Sequence, residues 1–348
     1  MGLAVGQIEI GVPTILTLRD PGAPAPGEVR IRIRTVPIGI AEIRALSGDR
    51  IALAGQSVDK DHPFIFGFAA VGVVDACSDE QFQSGDRVVI TPLDVCGTCT
   101  YCRNEDETQC ITRRRLAGID ADSPGMMQDT LVVPARRVLN LPDSISDIQG
   151  CYISEVATAV HLCRRAGVAE GQKIAVVGAG RHGQLVISVA KAMGAGEIHA
   201  IDPSRTSLAA AQKAGASKTG TDLSTLHFAD IAFHCNSDLR TIGTCCDLVA
   251  PGGTVGLLGT PTKEFPDAGI EQFLSRVVQP ELRLVASASK GTASFRHAID
   301  LMSSGKLVID TADSLEIPPD QAPVQFRQVA ADWPNAQPTF VTFTKGRP

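Results

Sequence analysis

Four cysteines crowd into one stretch, CGTCTYCRNEDETQC, at Cys96, Cys99, Cys102 and Cys110. Thiolates at C-x2-C-x2-C-x7-C spacing can close a tetrahedral shell around zinc and leave no open position, so such a site is structural. An iron–sulfur cluster is the competing occupant, since it also takes four thiolates. A second pattern, VVGAGRHG, places Gly178, Gly180 and Gly183 as G-x-G-x-x-G between an apolar run and a helical one. The first glycine permits a tight turn and the second lets the backbone approach a pyrophosphate. The third allows close strand–helix packing, and the helix N-terminus offers free amides to the phosphates. Asp202 ends the next apolar run, where a carboxylate grips a ribose 2′-hydroxyl and repels a 2′-phosphate. That favours NAD(H), while Arg205, three residues on, leaves NADP(H) open. Arg181 and His182, inside the loop, either lie along the pyrophosphate or cap exposed turn surface.

The elements that must position these groups follow from the same residues. Residues 1–150 are rich in short β-like runs (EVRIRIRTV, AAVGVVDA, GDRVVIT) punctuated by Gly, Pro and Asp, which reads as a mainly β domain. The cysteine lobe, 96–110, sits inside it. From about 151 to 290 strand and helix alternate: SEVATAVHLCRRAG is helical, KIAVVGAG a buried strand, GQLVISVAKAMGA a helix and EIHAID a strand. RTSLAAAQKAGA, DIAFHC, TIGTCCDLVAPGG (helix into turn) and TVGLLG continue the alternation, the signature of a doubly wound parallel sheet. Residues 291–348 break the rhythm and return to the first domain. The fold class is therefore α/β.

Composition narrows the function. The chain has 348 residues, 44% of them hydrophobic and 20% charged, with net charge −6. The acidic balance and the lack of a Lys/Arg cluster argue against a nucleic-acid partner. No uninterrupted apolar stretch reaches membrane-spanning length, and the start lacks a secretory signal. Clustered cysteines without an export signal point to a metal in a reducing, cytoplasmic setting and not to disulfides. A small-molecule substrate remains.

The glycine loop and the cysteine lobe together resemble the medium-chain dehydrogenase/reductase superfamily, the zinc alcohol and polyol dehydrogenases. GDRVVI, LVVPARRVLNLPD, HLCRRAGV and APGGTVGLLG stand in family order, and SEVATAVHLCRRAGV is most similar to the sorbitol and threonine dehydrogenase branch. The resemblance implies a GroES-like catalytic domain, a Rossmann domain, one structural zinc, and a homodimer or homotetramer. It also implies a catalytic zinc, whose ligands are missing here. Gly39 stands where the family has a ligand Cys, Ala41 replaces the relay hydroxyl, and Glu42 and Arg44 replace Asp and the relay His. Phe68 and Ala69 replace the His-Glu of a G-H-E stretch, leaving Glu155 as the one remaining candidate ligand. The expectation is hydride transfer without a catalytic zinc, to a C=N, C=C or activated C=O substrate. Glu155 is expected to have a raised pKa and to donate or accept the proton, with Glu42 as second candidate. Each has a plainer role: Glu155 as a helix-start carboxylate, Glu42 as a solvated or paired one. Arg44 touches cofactor phosphate or lies at the surface, and Thr158, a turn along the helix from Glu155, faces the nicotinamide or simply packs. A zinc-dependent polyol, cyclitol or alcohol dehydrogenase and a catalytically silent cofactor-binding protein are the alternatives.

Overall fold

A computed structural model describes residues 1–48, 57–78, 81–115, 125–221, 228–238, 241–258, 270–287, 290–333 and 336–343. The chain packs as two compact units. One contains Met1–Ser154, Gly291–Ser303 and Val308–Pro348, and the other Glu155–Lys290 and Ser304–Leu307. The boundary falls inside the helix Asp147–Ala166.

The first unit is built on strands whose side chains alternate. In Glu28–Ile38, Val29, Ile31 and Ile33 point into the core while Arg30 and Arg32 pair with Asp75 on the outer face, at 2.9 and 3.1 Å. Period-2 alternation of this kind fixes which face is buried and so fixes register. This strand is the hub of its sheet: it pairs antiparallel with Val71–Cys77, with Thr130–Pro134, and with the late strand Thr339–Thr342. The last pairing draws the end of the chain onto the N-terminal sheet, with Phe66 and Phe326 stacked at 4.5 Å between ring centres in the core beneath.

The second unit carries a parallel sheet. Its strands are Ile174–Val177, Ile198–Ile201, Lys218–Gly220, Ala229–His234, Val249–Leu258 and Arg283–Ser287. Numbered in chain order they lie side by side as 3-2-1-4-5-6, the doubly wound order in which the first strand sits where the winding reverses. Ile174–Val177 is buried along its whole length, as a strand covered on both faces must be. The turn expected at APGG lies within the strand Val249–Leu258 instead. There Val249 opposes Ala229 and Thr254 opposes Ile231, so the Pro-Gly-Gly residues form a bulge, with Gly252 at φ +76°. Among the described residues no helix is long and apolar enough to cross a membrane.

Candidate functional site: a dinucleotide cradle, a buried glutamate and a cysteine lobe

In the second unit, the strand Ile174–Val177 ends at Gly178 and the helix Arg181–Ala192 begins at its N-cap, Gly180. Each glycine has its own reason. Gly178 has φ +97°, and a Cβ there would press on Asn236 and the Cys235 backbone. A Cβ at Gly183 would collide with the carbonyl oxygen of Gly178, whereas Gly180 faces open space. A tight turn, a close packing contact and an uncrowded approach are what a pyrophosphate over a helix N-terminus requires. No side chain caps this helix. A dinucleotide therefore fits the residues present.

Asp202 follows the strand Ile198–Ile201 directly. Its Oδ2 accepts the Ala179 amide and its Oδ1 the Ser204 amide, each at 2.8 Å, so the carboxylate is locked to the glycine loop. Arg205 is exposed at the start of the helix Arg205–Ala214, whose N-cap Ser204 accepts the Ser207 amide.

Glu155 departs from expectation. Its Oε2 accepts from Nε of Arg181 at 3.2 Å, joining the helix Asp147–Ala166 to the first residue of the glycine-loop helix. Burial pushes the Glu155 carboxyl up, but Arg181, His182 and Lys290 outweigh it, and the group lies below the ordinary carboxylate value. The raised pKa expected for a proton donor is thus reversed, because Arg181 first, with His182 and Lys290, acts on the carboxylate. Burial holds His182 below its ordinary pKa, with Glu155 opposing. Thr158 is half-buried on the same helix as Glu155. Lys290, at the end of this unit, was not signalled by any motif.

In the first unit, the helix Ile40–Leu46 starts from Gly39. Glu42 is 2% exposed, and both carboxylate oxygens are engaged by backbone: Oε2 accepts the Gly39 amide at 3.0 Å and Oε1 the Phe68 amide at 2.9 Å. The Glu42 carboxylate thus ties the Gly39 and Phe68 backbones together. Phe68 and Ala69 are buried, and Arg44 is half-buried with its Nε unpartnered among the described residues. Glu42 and Arg44 share one helix; Glu155, Thr158 and the glycine loop belong to the other unit.

The cysteine lobe is also in the first unit. The Sγ atoms lie within 4.8 Å of one another, with Cys99–Cys102 at 3.5 Å, Cys96–Cys110 at 3.6 Å and Cys96–Cys102 at 3.9 Å. Sulfurs bonded at about 2.3 Å to a tetrahedral zinc lie about 3.8 Å apart, and a disulfide would require about 2.05 Å. The amides of Thr98 and Cys99 point at Cys96 Sγ and hold its thiol down at about 5. Burial pushes the Cys102 thiol up to about 12, and the tetrahedral-range spacing of the four sulfurs suits a zinc ion, whose charge would favour the thiolates. Among the described residues this is the only group of three or more His, Cys, Asp or Glu arranged to hold an ion. A contact invisible to local spacing anchors the lobe: buried Glu107 accepts the amide of Ala293 at 2.9 Å, at the start of the helix Thr292–Ser303. A Cβ at Gly291 would strike the Glu107 carboxylate.

Family models match both units. The alcohol dehydrogenase GroES-like domain matches residues 25–143, and the zinc-binding dehydrogenase model residues 183–304. A 2-dehydro-3-deoxy-L-galactonate 5-dehydrogenase of Pseudoalteromonas atlantica is 29% identical over 82% of this chain and 83% of its own. D-xylulose reductase A of Aspergillus niger is 27% identical over 73% of each. Among solved structures, an Escherichia coli oxidoreductase/dehydrogenase of unknown specificity superposes with a TM-score of 0.85 at 21% identity, covering 99% of both chains. An alcohol dehydrogenase of Escherichia coli CFT073 complexed with NADH gives 0.81 at 19% identity, covering 98% and 99%. A zinc-binding dehydrogenase of Sinorhizobium meliloti bound to NADP gives 0.80 at 22% identity, covering 99% of each.

Proposed function

The chain belongs to the zinc alcohol dehydrogenase-like medium-chain dehydrogenase/reductase superfamily and is an NAD(P)-dependent oxidoreductase of its sorbitol-like branch; from that premise we propose that it transfers hydride without a catalytic zinc. The observation that carries this reading is Glu42, whose carboxylate spans the Gly39 and Phe68 amides at the positions where the family's ligand side chains stand. Glycine, phenylalanine and alanine side chains offer no ligand atom, and each Glu42 carboxylate oxygen already accepts a backbone amide.

When bound, the nicotinamide dinucleotide supplies the hydride. Gly178, Gly180, Gly183 and the helix start behind them hold its pyrophosphate, with Arg181 and His182 alongside, and Asp202 favours an unphosphorylated ribose. Four thiolates at Cys96, Cys99, Cys102 and Cys110 hold one structural zinc, which cross-links the lobe. Without a Lewis acid, an alkoxide formed from a simple secondary alcohol lacks a stabilising cation. An iminium carries its own positive charge, and a conjugated enone or activated carbonyl can be polarised by a hydrogen bond. We therefore assign reduction of a C=N, C=C or activated C=O bond in a small molecule.

A second reading has its own support: the relatives include enzymes named D-xylulose reductase and L-idonate 5-dehydrogenase, acting on sugar-derived carbonyls and hydroxyls. A single-turnover experiment separates the two. Enzyme preloaded with NADH is mixed with a cyclic enone, an imine and D-xylulose, with and without a zinc chelator. Chelator-insensitive oxidation of NADH by the enone or imine supports the first reading. Turnover of xylulose alone, abolished by the chelator, supports the second.

A further inference from the structure

Glu155 and the glycine-loop helix meet each other. Glu155 stands where the resemblance implies a candidate metal ligand, and the partner it meets here is Arg181. Its Oε2 holds Nε of Arg181, the first residue of the helix that opens the dinucleotide cradle. The side chains are only 22% and 32% exposed. A guanidinium half-removed from solvent and fixed by a carboxylate has one orientation in place of many, and it stands at the mouth of a helix N-terminus that no side chain caps. His182 and Lys290 add their fields on the same carboxylate.

We propose that Glu155 is a positioning residue: it aims the Arg181 guanidinium at the pyrophosphate of the bound dinucleotide, in place of assisting a metal or carrying a proton. This rests on the reading that a nicotinamide dinucleotide occupies the glycine loop. Two opposed effects follow from one carboxylate. By fixing a long side chain before binding, it removes an ordering cost that would otherwise weaken the complex about three- to tenfold. By its own charge it repels the incoming phosphates. Positioning wins only while Arg181 is present, so the sign of the Glu155 effect depends on Arg181.

The test is NADH titration, followed by nucleotide fluorescence, on the full chain and on E155Q, R181M and the double variant, with thermal melts to verify folding. Wild-type protein binds NADH; R181M binds at least tenfold more weakly, as loss of a charge-assisted phosphate contact requires. E155Q binds about three- to tenfold more weakly than wild type. In the R181M background E155Q has no effect or tightens binding, a non-additivity that a merely structural role would not produce. The proposal is overturned if E155Q binds NADH as tightly as wild type, or if it weakens binding equally with and without Arg181. It is also overturned if E155Q keeps its NADH affinity but loses a limb of the pH profile of kcat, which would make Glu155 a proton carrier. Wild-type protein that binds neither NADH nor NADPH overturns the dinucleotide reading along with this one, and is distinguished from the other failures by that fact.

Discussion

Replacing Glu42 is the most informative perturbation of the buried Gly39–Glu42–Phe68 contact. In E42A the amides of Gly39 and Phe68 lose their acceptors inside a buried region. A buried donor left unpaired costs about 1–3 kcal/mol, so two cost about 2–6 kcal/mol. A domain holds only about 5–15 kcal/mol in all, so E42A removes a large part of the first unit's stability. E42Q keeps the shape but sets an NH2 group against one of the two amides, costing about 1–3 kcal/mol. The assay is urea unfolding followed by the fluorescence of Trp333, the chain's one tryptophan, which packs against the core of the first unit. The expected midpoints fall in the order wild type, E42Q, E42A. NADH affinity is expected to stay unchanged in both variants, because the glycine loop belongs to the second unit. An E42Q protein with wild-type stability and no turnover would refute the reasoning and make Glu42 a proton donor.

Two further outcomes follow from the second unit. D202N removes the charge that repels a 2′-phosphate, while setting an NH2 group against the Ala179 or the Ser204 amide. The ratio of NADPH to NADH dissociation constants is expected to fall about tenfold, equivalent to roughly 1.4 kcal/mol of relieved repulsion, measured by titration with each nucleotide. Stability is also expected to fall with acid in two stages. His182 has a folded pKa below its ordinary 6.5, so the unfolded chain takes up its proton first, and stability drops as pH falls below about 6.5. Glu155 is held below its ordinary 4.5, so its contribution is complete above that value and is lost as pH falls through the lower folded one. Thermal melts from pH 7.5 down to 3.5 test this: H182Q should flatten the first stage and E155Q the second, and parallel curves for all three proteins would contradict it.

Legibility in the sequence followed the distance over which each feature is encoded. The glycine loop, the strand before it, Asp202 and the four cysteines each lie within one short segment, where spacing alone dictates a turn, a cradle or a tetrahedron. The alternation in Glu28–Ile38 likewise exposes its buried face directly. The contacts that decide roles are long-range. Glu42 reaches Phe68 and Glu155 reaches Arg181, each across 26 residues, and Glu107 reaches Ala293 across 186. None of these leaves a periodic trace, so Glu155 read as a carboxylate free to gain a proton, when the Arg181 beside it keeps it ionised. The turn expected at APGG is present at Gly252, φ +76°, but it sits inside the strand Val249–Leu258, because the strand pairs with Ala229–His234 on both sides of it.

The most direct test of the account is the zinc content per chain of carefully purified protein, measured by elemental analysis on wild type and on C110S. The account predicts close to one zinc per chain in wild type, lost in C110S, with NADH oxidation by the wild-type protein unaffected by added zinc. Close to two zinc ions per chain, with one retained in C110S and required for turnover, would contradict it.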